Sequence, residues 1–329
     1  MSYITISKAN FFNNLRFLSD KLGSTDKLAV VLKDNAYGHD LVLIAKLSSE
    51  FGIKKAVVKN EEEAKEIESF FETIIVLNPN FETINFSLVL NSKEQLKKIK
   101  PSQKIHIKVD TGMHRNGIMI DEVEDIFKAI MKIGAKVEGV LTHFRSSDEL
   151  SSELFWQEKQ WSKVKNKIKD ICKKQNFTLP LFHSANSATV LRKNSYEDDF
   201  ARCGIAIYGY HEMPESYGEF NLKPVLKLYG KKISSRVLKK GSRVGYGGVG
   251  LLEKDSTIST YDIGYSDGFL RNLYPNLLGK VSMDSVSLLG DSDEVCLIDD
   301  AKELAKLNNT ISYDVLVKLH PKIPRISKL

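Results

Sequence analysis

In KLAVVLKDNAYGHD a lysine, Lys33, closes an apolar run and precedes a turn. Held at the end of a buried strand, such an amine can act as a nucleophile or a base. It can equally end the strand and face water. Tyr37 and Gly38 follow in the turn. The phenol can bind an anion or simply pack, and the glycine permits unusual backbone angles. Four later runs also place polar groups just after apolar segments. Lys108, Asp110 and Arg115 lie in HIKVDTGMHRNG and His143 in GVLTHF. His183, Asn186 and Ser187 lie in FHSANSATVL, and Arg202, Gly204 and Ile205 in ARCGIAIYG. One polar residue at a strand end is commonplace, and His183 alone reads as a satisfied core histidine. Together they describe an amine among cations, with Ser187, Gly204 and Ile205 as a phosphate-binding group.

These residues converge only if their strands share one sheet. Over residues 28–210, short apolar runs alternate with amphipathic or charged segments. The runs are Leu28–Leu32, Lys55–Val58, Thr73–Leu77, Phe86–Leu90, Ile105–Val109, Val137–Thr142, Leu179–Phe182 and Ala201–Ile207. Alternation of this kind predicts a parallel sheet covered by helices. Eight units predict an α/β fold with an N-terminal (β/α)8 barrel, compact beside the usual length of about 250 residues; an open doubly wound sheet is the alternative. EEEAKEIE at 61–68 reads as a solvated helix face. After about residue 222 the texture changes to β-branched runs punctuated by glycine, which predicts a mainly antiparallel β domain. The expected domains are therefore 9–222 and 223–329, with the strand at 2–7 a candidate to join the second.

Composition excludes several function classes. The chain has 329 residues, 42% of them hydrophobic and 27% charged, as in an ordinary globular protein. A net charge of +6 spread over this length argues only weakly for a nucleic-acid partner. Cys172, Cys203 and Cys296 are far apart and form no CxxC pair, which excludes a zinc ribbon or a disulfide framework and fits a reducing cytoplasm. The N-terminus carries no signal-peptide pattern, and no run of 18 apolar residues predicts a membrane span.

Read in order, the blocks AVVLKDNAYGHD, IKVDTGMHRNGI, HSANSATVL, RCGIAIYG, VGYGG, IGYSDGFLR and GKVSMDSV resemble those of the alanine racemases, which use pyridoxal 5′-phosphate (PLP). The resemblance spans nearly the whole chain and implies a PLP barrel followed by a β domain. It implies that Lys33 carries PLP, and that Tyr37, Ser187, Gly204 and Ile205 hold the phosphate, with Asn186 also at the cofactor. Arg202 would face the pyridine nitrogen, with His143 against the ring. Arg115 would meet the substrate carboxylate, oriented by Lys108, a position that is often carbamylated in the family. Tyr265 would be the second acid–base, and Met283 and Asp284 would approach the substrate. Tyr265 and Met283 would come from the partner subunit, so the active unit implied is a homodimer. The activity implied is interconversion of L- and D-alanine, supplying D-alanine for peptidoglycan.

The residue types suit that chemistry. Lysine and tyrosine, with ordinary pKa values near 10, can serve opposite faces of a carbon acid if nearby cations favour the neutral amine and the phenolate. A guanidinium has no lone pair, so Arg202 can only donate to a ring nitrogen. A broad-specificity racemase, a basic amino-acid decarboxylase and a non-catalytic PLP carrier are the alternatives. The IGYSDG and SMD blocks and Arg202 favour the racemase.

The chain departs from the family pattern in two places. PRIS puts Ser327 where a tyrosine of the active-site entrance is common, and FLRNLYPNLLGKV, at 269–281, is short. Tyr274 is a candidate replacement for a gate tyrosine. These departures predict a wider entrance and substrates beyond alanine. GYGGVG at 245–250 reads as a β-turn rather than a nucleotide loop, His39 reads as structural, and nothing marks Cys203 as a nucleophile.

Overall fold

The computed structural model describes residues 1–271 and 274–328. Strand β1 (Tyr3–Ser7) and helix α1 (Lys8–Leu22) precede eight parallel strands. These are β2 (Leu28–Val31), β3 (Lys55–Val58), β4 (Thr73–Val76), β5 (Ser87–Leu90), β6 (Lys104–Lys108), β7 (Lys136–Leu141), β8 (Leu181–His183) and β9 (Ala201–Cys203). They lie in the order β8-β7-β6-β5-β4-β3-β2-β9. Because β2 pairs with both β3 and β9, the sheet curls into a barrel. β8 and β9 are three residues each and share no ladder. The seam is closed by Asp199 N–H donating to Phe182 C=O at 2.9 Å and Arg202 N–H donating to Ala185 C=O at 3.0 Å. The Asp199 carboxylate accepts from Phe182 N–H at 2.6 Å.

Every residue of β2 and β5 is buried, as expected of short apolar strands covered on both faces. Between the strands lie α2 (Lys33–Gly38), α3 (Leu41–Phe51), α4 (Glu61–Glu66), α5 (Val123–Ile133), α6 (Glu153–Gln175) and α7 (Ser187–Arg192). Helix α5 buries Val123, Ile126, Phe127 and Ile130, one stripe at helical spacing, and stops at Gly134 in the left-handed conformation. The eighth strand ends at Cys203 rather than reaching Ile207. Gly204 breaks the extended backbone, and Ile205–Tyr208 winds into a 3₁₀ turn. The acidic run on α4 is not wholly solvated: Glu61 is buried and accepts from Glu82 N–H at 3.2 Å.

The second sheet is built on β10 (Leu226–Leu238), thirteen residues long. Its first half pairs with β1 and β15 (Glu294–Ile298), and its second half with β13 (Ser256–Tyr261), which in turn pairs with β14 (Val286–Leu289). A bulge between Lys232 and Ser234 separates the halves. The short pair β11 (Arg243–Val244) and β12 (Gly250–Leu251) brackets the GYGGVG turn. Helices α8 (Ala301–Leu307) and α9 (Ser312–Val317) lead to β16 (Arg325–Lys328), which runs parallel to β1. The N-terminal strand thus belongs to this sheet, while the helix that follows it packs on the barrel. Among the described residues, no helix is long and apolar enough to cross a membrane.

Candidate active site

The C-terminal ends of the barrel strands open on a cavity of about 250 Å³. Its wall includes Lys33 just after β2, Lys108 at the end of β6, His143 after β7, Arg202 on β9, and Gly204 and Ile205 beyond it. Asn186, Ser187, Tyr37 and Arg115 also line it. The polar groups singled out at five strand ends therefore meet at one mouth, except His183, which lies deeper, and Asp110, whose carboxylate turns away to accept from Gly112 and His114 N–H at 2.9 and 3.1 Å.

The segment after Lys33 is a left-handed turn. Asp34, Asn35, Ala36 and Tyr37 have φ between 51° and 55°. L-residues disfavour this region by roughly 1–2 kcal/mol each; Asp and Asn tolerate it best, so Ala36 and Tyr37 carry most of the strain. Side chains on all sides hold it. Asn35 N–H donates to the Glu63 carboxylate at 3.3 Å, and Asn35 Oδ1 accepts from Leu41 N–H at 2.9 Å. His39 Nδ1–H donates to the Ala36 and Tyr37 carbonyls at 3.1 and 3.0 Å. That ring is fully buried, which drives its pKa down to about 3 and keeps it neutral.

The turn aims Tyr37 at Gly204. A Cβ on Gly204 would stand 2.8 Å from Tyr37 Oη, so any other residue there would displace the phenol. Beside it, Ser187 Oγ accepts from the N–H groups of Gly204 and Ala206 at 3.0 and 3.4 Å. Two hydroxyls and a glycine backbone thus converge in a cavity that also carries Lys33, Lys108, Arg115 and Arg202. This donor set suits a phosphate ester, and the Lys33 amine suits an aldehyde. PLP carries both groups, so the residues present fit it. Asn186 caps α7, accepting from Thr189 N–H at 2.9 Å. Cys203 is fully buried, and burial pushes its thiol up to about 12, which makes it a poor nucleophile.

Arg202 is held by a buried relay. Its Nη1 donates to His183 Nδ1 at 2.8 Å and to His183 C=O at 2.6 Å, and its Nη2 donates to Thr142 C=O at 2.6 Å. All of these bonds use the terminal nitrogens. Since a guanidinium cannot accept, His183 Nδ1 must. His183 Nε2–H then donates to His106 Nδ1 at 2.8 Å, and His106 Nε2–H to Glu138 at 3.4 Å. Gly139 permits this packing, because a Cβ there would lie 2.4 Å from His106 Nδ1. His183 is thus a satisfied core histidine, stacked on Phe200 at 4.3 Å.

Two further groups are shifted by their surroundings. Burial, then the charges of Arg115 and Arg202, brings the Lys108 ammonium down to about 8. Its Nζ also donates to Asn116 Oδ1. Burial and then the Arg202 charge bring His143 down to about 3, so its imidazole is neutral across the physiological range.

Tyr265, Met283 and Asp284 do not line this cavity. They lie together in the turns between β13 and β14, where Tyr265 N–H donates to Ser282 C=O at 3.0 Å and Ser266 N–H to Met283 C=O at 2.9 Å. Gly264 permits the approach: a Cβ there would be 2.2 Å from Met283 O. Tyr265 is 43% exposed and Met283 59%.

Two entrance candidates lie outside this chain's own cavity. Ser327 sits in β16, opposite Ile6, exposed and away from the cavity, because PRIS enters the sheet instead of returning to the barrel. Tyr274 packs on Phe269, its hydroxyl donates to Cys296 C=O at 3.0 Å, and it too does not line this chain's cavity. Two residues of the short 269–281 segment, 272 and 273, lie outside the described residues. The cavity has an aromatic wall that the sequence reading missed: Tyr313, on α9, set edge-on to Tyr37 at 5.6 Å. Asp148, His211 and Glu212 line the cavity as well. No residue spacing pointed to them, since α9 and the loop after β9 meet only in the fold.

The comparisons agree with this geometry. Residues 6–212 match the family model for the alanine racemase N-terminal domain, and residues 225–327 that for its C-terminal domain. An alanine racemase of Nitratiruptor sp. is 49% identical over 329 residues, covering 99% of each chain. The solved structure of a Clostridium difficile alanine racemase superposes with a TM-score of 0.89 at 25% identity, covering 99% of this chain and 95% of that one. A Bacillus anthracis alanine racemase, solved with bound L-Ala-P, gives 0.86 at 27% identity, covering 100% and 95%. Matched along both halves, the chain belongs to the alanine racemase family of isomerases.

Proposed function

We propose that the protein is a PLP-dependent racemase that interconverts L- and D-alanine by proton transfer at Cα between two bases. The observation that carries this reading is the meeting of the Lys33 amine, the Tyr37–Ser187–Gly204 cradle and the Arg202 guanidinium in one cavity. Bound PLP supplies the electron sink that makes the Cα–H of an amino acid acidic. Tyr37, Ser187, Gly204 and Ile205 hold its phosphate, and Asn186 and His143 line its seat. Arg202 would offer an N–H to the ring nitrogen and could not take a proton from it. Arg115 receives the substrate carboxylate. Lys33 Nζ takes or returns the proton on one face, and Tyr265 Oη serves the other.

Tyr265 comes from the partner subunit of a homodimer. Its exposed position beside Met283 and Asp284, outside its own chain's cavity, supports this arrangement. Purified protein with PLP and L-alanine in D₂O should form D-alanine carrying deuterium at Cα. Absence of D-alanine from a PLP-loaded sample would overturn alanine as the substrate. The cellular role that follows is supply of D-alanine for peptidoglycan in the cytoplasm.

Lys108 is the site of a carbamate in this reading. With its pKa brought to about 8, a usable fraction is neutral amine. The nitrogen lone pair bonds to the carbon of CO₂, one N–H proton leaves to solvent, and the resulting anion is favoured by the same two arginines that depress the ammonium. Protein equilibrated with ¹³C-bicarbonate should show a carbamate resonance that is missing from Lys108→Ala.

A further inference from the structure

Arg325 touches no wall of the cavity, yet its guanidinium reaches the Lys33 turn. Nε and Nη2 donate to Gly38 C=O at 3.2 and 2.9 Å. The remaining N–H groups go to the loop between α9 and β16. Nη2 donates to Leu319 C=O at 3.2 Å, and Nη1 to His320, Pro321 and Ile323 C=O at 2.7, 3.0 and 2.6 Å. The backbone is anchored too, since Ile4 pairs with Arg325 across the β1–β16 ladder. Gly38 is pressed between this clamp and α9, because a Cβ on it would lie 2.2 Å from Leu316 O. The same helix sets Tyr313 against the Tyr37 ring.

We infer that Arg325 is a positioning residue for the cofactor's phosphate: through the Gly38 carbonyl it holds the left-handed turn that aims Tyr37 at Gly204. The inference rests on the PLP reading above. Four consecutive left-handed residues do not persist without outside restraint. The other side-chain hydrogen bonds on the turn, from Glu63, Lys59, Asn35 and His39, come from the barrel and from the turn itself, while α9 adds packing against Gly38 and Tyr37. Arg325 is the charged donor that arrives from the second sheet, about 290 residues along the chain. A lysine cannot replace it, because one ammonium cannot bridge Gly38 and the loop carbonyls as a planar fork does. The phosphate seat is therefore set jointly by barrel and C-terminal sheet.

The test compares full-length wild type, Arg325→Lys and Arg325→Gln. Amide hydrogen exchange is measured without PLP, and binding is measured for PLP and for pyridoxal, which lacks the phosphate. The expected result is faster exchange confined to residues 34–41 in both variants. PLP binding weakens by about tenfold or more, the scale of one charge-assisted hydrogen bond, while pyridoxal binding is unchanged. Equal weakening for both ligands, unchanged exchange at 34–41, exchange raised along the whole chain, or failure of both variants to fold would each overturn the inference. Failure of wild type to bind PLP would instead sink the cofactor reading and leave the exchange result to judge the clamp.

Discussion

Mixing two inactive variants, Lys33→Ala and Tyr265→Phe, is expected to restore racemase activity to about a quarter of the native value. Each variant alone removes one of the two proton-transfer groups and should lose about 10²–10⁴-fold in kcat or more. If Tyr265 is supplied by the partner, a dimer of one Lys33→Ala chain and one Tyr265→Phe chain has one doubly damaged site and one intact site. Random reassociation makes about half the dimers mixed, each with one working site of two, which gives the quarter. If Tyr265 instead acts within its own chain, every site in every dimer is damaged and mixing restores nothing. Co-expression with two different affinity tags, followed by assay of the doubly tagged species, reads the outcome directly. The geometry favours the first result: Tyr265 stands exposed in the turn after β13 and does not line its own chain's Lys33 cavity.

The strand ends that bear Lys33, Lys108, His143, Ser187 and Arg202 were legible because a short apolar run followed by a polar residue is a local pattern. The barrel reduces the rest to arithmetic: eight such ends must face one way. What was illegible is nonlocal. KDNAYGHD reads as a turn, but its left-handed form also needs restraints from outside it, placed by Glu63 and Arg325. Tyr313 reaches the cavity from α9, where Glu212 accepts from Ser312 N–H at 2.9 Å, and Tyr210 Oη accepts from Ala301 N–H at the start of α8 at 3.2 Å. The loop after β9 thereby grips the first turns of α9 and α8. These are pairings between residues about ninety or a hundred apart, with no periodic signature. Ser327 shows the opposite limit: its position was carried over from a family motif, and only the pairing of β16 with β1 shows that it stands outside its own chain's cavity.

Replacing Arg202 with methionine is expected to have the other large effect, on activity and stability together. The side chain is buried, and its bonds satisfy the carbonyls of Thr142 and His183 and the Nδ1 of His183. Methionine fills much of the volume but donates nothing, and each buried acceptor left without a donor costs about 1–3 kcal/mol. A loss of about 3 kcal/mol in unfolding free energy follows. His183 would also lose the donor that fixes its tautomer, so the order of the relay to His106 and Glu138 would no longer be imposed from one end. In the proposed reaction the variant has no N–H to offer the ring nitrogen, and loss of one such preorganised donor lowers kcat by about 10²–10³-fold. Two controls separate the effects. Arg202→Lys keeps the charge but cannot reach all the acceptors, so it should fall between wild type and Arg202→Met in both measures. His183→Phe leaves the guanidinium and removes the Nδ1 acceptor to Arg202 and the Nε2–H donor to His106; it should lower stability while sparing most of the activity. A folded Arg202→Met protein with near-native kcat would show that the guanidinium is present for the barrel's packing and does not serve the cofactor ring.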